Sequence, residues 1–141
     1  MHSWASEKNE KELLVWTRIV RARLYLDTGK IEEGLEEARI GLQTAKVNGF
    51  GILAIDLQNV IGALALAGED REGATEICRS SIQAAAGPEC RYAHGEREAS
   101  TIIDRAKESP GPAPARLTGA FIEGFADAGL RDRIVFRRLV R

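Results

Sequence analysis

The apolar positions of this chain fall into stripes with helical spacing. Val15, Ile19, Ala22 and Leu26 lie on one side of an α-helix, each three or four residues from the next. Ile31, Leu35, Ala38, Leu42 and Ala45 form a second stripe, with Glu32, Glu33, Glu36, Glu37 and Arg39 on the other faces. Leu57, Val60, Ile61 and Leu64 make a third, and Ala74, Ile77, Cys78, Ser81 and Ala85 a fourth. Gly29 and Gly68 are placed to turn each first helix into its partner without a Cβ penalty. Asn48-Gly49 and Gly87-Pro88 stop the second helices. Nothing in residues 7–107 reads as a strand, because the β-branched residues sit inside helical stripes.

Self-similarity supports the same reading. A shift of 39 positions sets Gly29 on Gly68, Glu33 on Glu72, Gly34 on Gly73, Glu37 on Glu76 and Ala45 on Ala84. Apolar residues follow, with Tyr25 on Leu64 and Ala38 on Ile77. Small residues at Ala22, Gly34, Ala38, Ala63 and Gly73 suit helices that approach closely. In this register Leu57 and Val60 correspond to Arg18 and Arg21. Two arginines are costly to bury unpaired, so the first unit is expected to be terminal, with nothing stacked on that face.

A third unit begins at Tyr92 and runs to Lys107, with Ala93, Ala99, Ile102, Ile103 and Ala106 apolar. Pro110, Pro112 and Pro114 then forbid a helix. Its partner helix is either missing or supplied by Thr118 to Gly129, where Phe121, Phe125 and Ala128 share a face. The expected architecture is all-α: a right-handed solenoid of about two and a half antiparallel helix pairs, then a helical tail. The expected boundaries are 7–107 for the repeats, 108–115 for a Pro-rich linker and 116–141 for a C-terminal helix with an Arg-rich end.

The run Ala22-x-x-Tyr25-x-x-x-Gly29-x-x-Glu32-Glu33-Gly34-x-x-x-Ala38 resembles the tetratricopeptide repeat, with Gly34 where that family usually has alanine. Gly49-Phe50-Gly51, Ile55-Asp56-Leu57-Gln58-Asn59 and Pro88-Glu89-Cys90-Arg91-Tyr92-Ala93-His94-Gly95-Glu96 look like the helical arms of bacterial NACHT-type signalling ATPases. There the position of His94 is commonly tryptophan. This resemblance spans residues 12–107 and implies a sensing or scaffolding arm that holds a protein or peptide. No Gly-x-x-x-x-Gly-Lys-Ser/Thr motif is present, and the residues after Lys107 match nothing in that family.

Stacked helix pairs present a concave surface made by their first helices. Projecting the repeat puts Trp16, Ile19, Arg23 and Asp27 there, then Ile55, Gln58, Gly62 and Leu66, then His94, Arg97, Thr101 and Asp104. The peptide-binding candidates are Trp16, Arg23, Asp27, Gln58, His94 and Arg97, where arginine suits a carboxylate and the aromatic a buried anchor. The competing reading is a solvated surface of good helix formers.

Other chemistry is poorly provided for. Cys78 and Cys90 stand twelve positions apart, outside the spacing of a zinc site, and His2 is remote. Glu32, Glu33, Glu36 and Glu37 lie opposite an apolar stripe, with no shielded cleft to shift a pKa. No nucleophile motif is present, so neither catalysis, a cofactor nor a small-molecule substrate is expected.

Charge changes the picture only at the C-terminus. Twenty basic and twenty-one acidic residues leave a net charge of −1, which argues against nucleic acid as the main partner. Residues 109–141 nevertheless hold six arginines against Glu123, Asp127 and Asp132. The stretch Arg131 to Arg141 is read either as a cover for the open end of the stack, through Ile134, Phe136 and Leu139, or as a docking segment for nucleic acid or an anionic surface. Self-association through the open end near residues 100–130, or else instability in isolation, is a further expectation, since a short stack leaves an apolar end. No apolar run reaches bilayer-spanning length and no signal peptide opens the chain, so a cytoplasmic setting is expected.

Overall fold

A computed structural model describes residues 4–108; the linker beyond Glu108 and the segment 116–141 lie outside the described residues. The described chain is all-helical: α1 Trp4–Asp27, α2 Ile31–Val47, α3 Gly51–Ala67, α4 Arg71–Ala86 and α5 Ala93–Lys107. Each helix packs on the next, and α3 also touches both α1 and α5. None is long and apolar enough to cross a membrane.

The turn between α1 and α2 is closed by Lys30 N–H donating to the Tyr25 carbonyl at 2.8 Å and Gly29 N–H to Leu26 at 3.2 Å. That motif needs a left-handed residue just past the helix, and Gly29 supplies it at φ 79°. Between α3 and α4 the same bonds run from Asp70 to Ala65 and from Glu69 to Leu66. The left-handed residue there is Glu69, at φ 68°, while Gly68 is right-handed at −86°. This corrects the expected turn at Gly68.

The structural period of the first two pairs is therefore 40, one more than the sequence identities suggest. The buried residues of α2 are Gly34, Ala38, Gly41 and Ala45; those of α4 are Ala74, Cys78, Ser81 and Ala85. The Cβ of Arg18 lies over Gly41, as Gln58 meets Ser81 forty positions on. Identities such as Gly34 with Gly73 are coincidental. Gly34 is buried in the seam, whereas Gly73 sits in the first turn of α4, its N–H capped by Asp70 at 3.0 Å.

The core runs along α3. Leu57 and Leu64 are fully buried and Val60 is 4% exposed, packed with Val15, Ile19, Ala22, Ala38 and Ala45 of the first pair. Leu57 lies against the notch at Gly41, where an added Cβ would come within 3.2 Å of it, and Leu64 against Gly34, at 2.8 Å. Ala74, Cys78, Ala99, Ile102 and Ile103 make a second cluster between α4 and α5. Arg71, at the start of α4, donates to the carbonyls of Ala106 (3.0 Å) and Glu108 at the end of α5, which satisfies acceptors that a helix end leaves open.

The new register also moves Arg18 and Arg21 off the outer face of α1. Arg18 Nη1 pairs with Glu37 Oε1 at 3.0 Å and Arg21 Nη1 with Glu37 Oε2 at 3.8 Å, so both lie beside α2. The outer positions are Leu13, Thr17, Val20 and Leu24, counterparts of Leu53, Leu57, Val60 and Leu64. The expectation that arginines mark a terminal face is thereby overturned.

Candidate functional site

α3 is sandwiched between two helix pairs, and this burial makes its polar residues informative. Asp56, Gln58 and Asn59 are 6%, 9% and 1% exposed; such groups are tolerated only when hydrogen-bonded. Asp56 Oδ1 accepts from the Tyr92 hydroxyl at 2.8 Å. Gln58 Oε1 accepts from Ser81 Oγ at 3.3 Å. Asn59 Nδ2 donates to the Gly95 carbonyl at 3.0 Å and to Glu98 Oε1 at 3.4 Å. Asn59 Oδ1 has no partner.

Of these side chains, Asn59 and its partner Glu98 border a groove between α1, α3 and α5. It is lined by Arg23, Leu26 and Asp27 from α1, Asn59, Val60 and Ala63 from α3, and Glu98 from α5. Its volume of about 250 Å³ falls below the range typical of small-molecule pockets and suits a side chain or a short stretch of backbone. Arg23 Nη2 reaches Glu98 Oε2 at 4.0 Å, and the arginine side chain is 48% exposed. An exposed pair at this distance is held weakly, by about 0–1 kcal/mol, leaving the guanidinium available to another carboxylate.

Burial raises the Asp56 carboxyl above its ordinary pKa; Glu98 adds to the rise, while the Tyr92 hydrogen bond, Arg23 and His94 oppose it. The Tyr92 hydroxyl is pushed up to about 12, first by burial and then by its bond to Asp56. It therefore stays protonated and remains the donor. The Cys78 thiol, fully buried in α4, is raised to about 11 by desolvation, a state poor in nucleophilic thiolate. Cys90 lies in the α4–α5 connection, near Gly51.

The six residues selected from sequence are placed as follows. Arg23 and Asp27 line the groove. Trp16 is 48% exposed and shares their side of α1, seven positions before Arg23. His94 is exposed and packs on Tyr92, ring centroids 5.9 Å apart. Arg97 is exposed on α5, and Gln58 turns toward α4 rather than the groove. Of the other projected positions, Ile19 and Ile55 are core residues.

Sequence reasoning passed over Asp56, Asn59, Tyr92 and Glu98 as site residues. The available signal was the polar set Asp56, Gln58 and Asn59 in the middle of an otherwise apolar helix. No protein-family model matches the chain, and neither a curated protein nor a solved structure matches it at a significant level.

Proposed function

We propose that the chain is a tetratricopeptide-like helical-repeat module that binds a protein segment along its first-helix surface and performs no catalysis. In this reading the helix pairs form a short right-handed solenoid whose concave side is the α1–α3–α5 groove. One observation carries it above all: Asn59, whose buried Oδ1 has no partner, lines a groove with Arg23, Asp27 and Glu98. A buried acceptor left open is unfavourable in the free protein. The backbone N–H of an extended peptide is the kind of donor that would satisfy it, with Arg23 exchanging Glu98 for a carboxylate of the ligand. The resemblance of residues 12–107 to the arms of NACHT-type signalling ATPases points the same way, toward a sensing or scaffolding role.

Peptides selected from a random display library on the full chain test this directly. Selected peptides should lose at least about tenfold in affinity, roughly 1.4 kcal/mol, when Arg23 and Arg97 are replaced by Glu, with the helical circular-dichroism signal unchanged. Equal binding to that variant would remove the groove assignment.

A second reading rests on the six arginines of residues 109–141: salt-sensitive binding to nucleic acid or an anionic surface through the tail. Deleting residues 131–141 separates the two. Only the second reading loses binding then, and only the first loses it when Arg23 and Arg97 are reversed.

A further inference from the structure

We infer that two copies of the chain pair through the outer stripe of α1, antiparallel about a two-fold axis. Leu13, Val20 and Leu24 are 67%, 61% and 58% exposed, and Trp16 beside them 48%. Their spacing puts them on one face of α1, opposite the buried Val15, Ile19 and Ala22. A contiguous apolar face of this kind on a small helical protein usually marks an interface.

The period of 40 shows what such a face is shaped to receive. Forty positions on, Leu53, Leu57, Val60 and Leu64 of α3 are at most 5% exposed, covered by the helix pair before them. Leu13, Thr17, Val20 and Leu24 hold the same positions with no helix over them among the described residues. The stripe therefore has the form of a helix-packing surface.

The two ends of the stack differ, and the difference selects the occupant. The α4–α5 connection is longer than its α2–α3 counterpart, and the residue that caps the following helix, Phe50 in one and Tyr92 in the other, falls two positions beyond the period of 40. In that shifted register Ile55 and Asn59, which face α5 from α3, correspond to Arg97 and Thr101 of α5. Both are exposed. Head-to-tail addition of copies would thus set leucines against polar side chains, and among the described residues the apolar front face is matched by another front face. A self-complementary patch closes as a two-fold dimer.

Charge selects the direction. Arg18 and Arg21 lie beside α2, paired with Glu37, so the charges flanking the stripe are Glu12 near its start and Arg23 near its end. Antiparallel pairing sets Leu13 across from Leu24 and Thr17 across from Val20. Glu12 and Arg23 flank the stripe on one side and approach each other across the axis. Parallel pairing would set like charges together.

Sedimentation velocity on the full chain at tens of micromolar tests the proposal. The expected particle has twice the 15.4 kDa chain mass, and Val20→Glu with Leu24→Glu should reduce it to a monomer that keeps its helical circular dichroism. Should that variant fail to fold, cysteine pairing decides. In a Cys90→Ser background, Leu13→Cys mixed with Leu24→Cys should give a disulfide-linked pair on mild oxidation, while neither does so alone. A wild-type monomer, a dimer that survives the Val20 and Leu24 substitutions because residues 109–141 hold it, or linkage of Leu13→Cys to itself would each overturn it.

Discussion

Asn59 Nδ2 donates to the carbonyl of Gly95 at 3.0 Å, and this bond joins α3 to α5. Closeness depends on the glycine: a Cβ at position 95 would lie 2.6 Å from the Tyr92 ring and 2.7 Å from Ile55 Cγ2. The same contact holds Asn59, which lines the groove, against α5, which carries Glu98 there. Packing and the candidate site meet at Asn59.

Gly95→Ala should therefore cost about 1–3 kcal/mol in denaturant unfolding, the usual range for overpacking a tight core. The same substitution should weaken peptide capture, because α5 carries Glu98. Asn59→Leu separates the two effects. Removing the open acceptor also removes the donor to Gly95, so stability should fall by no more than about 1–3 kcal/mol, while captured peptides are lost. A stability loss well above that range would make Asn59 an interhelical clamp with no role toward a ligand.

Glu69 occupies the left-handed position that Gly29 fills in the preceding pair. A side chain there costs roughly 1 kcal/mol, so Glu69→Gly should raise the unfolding free energy by about that amount. Gly29→Glu should lower it by a similar amount. Urea midpoints at constant slope are the measurement.

Helix existence was readable because burial imposes a period on the side chains, and the stripes of α2 and α4 carry it plainly. Register was not. Gly29 with Gly68 and Gly34 with Gly73 are identities without structural equivalence, whereas Gly29 with Glu69 is an equivalence without identity, since backbone bonds rather than side chains define that turn. The same one-residue slip hid the α1 stripe by putting Arg18 and Arg21 where Thr17 and Val20 belong. Arg23 and Asp27 could be projected onto the groove because they are exposed on α1 beside its buried stripe. Asp56 and Asn59 were not, because α3 is apolar nearly all round and offers no polar face to project. Their partners, Tyr92 and Gly95, come more than thirty positions later.

The raised Asp56 carboxyl sets a pH dependence of known sign. With the folded-state pKa above the unfolded value of 3.8, the folded protein binds the proton more tightly. This contribution is complete below the unfolded pKa and is lost as pH rises through the folded one. The unfolding free energy of wild type, minus that of Asp56→Asn, should therefore fall as pH increases through that interval and level off above it. Taking the difference cancels the other carboxylates. A difference that grows with pH would mean Asp56 is held ionised by Arg23 and Tyr92 instead.

Thiol chemistry should distinguish the two cysteines. With Cys78 fully buried and its pKa near 11, a thiol reagent at mildly alkaline pH should modify Cys90 rapidly and Cys78 only on unfolding. Equal fast modification of both would show that α4 is not packed beneath α3 at Gly62.

The groove and the dimer face both rest on the seating of α3's leucines in the notches of α2. A two-residue cycle between Gly34 and Leu64 measures that seating by denaturant unfolding. A Cβ at Gly34 would lie 2.8 Å from Leu64 Cδ2 and 3.2 Å from Tyr25 Cβ, so Gly34→Ala in wild type should lose about 1–2 kcal/mol, overpacking outweighing the helix-propensity gain. In a Leu64→Ala background only the Tyr25 Cβ contact at 3.2 Å remains, and Gly34→Ala should cost less by about 1 kcal/mol. That reduced cost is the predicted result; the same effect of Gly34→Ala in both backgrounds would contradict it.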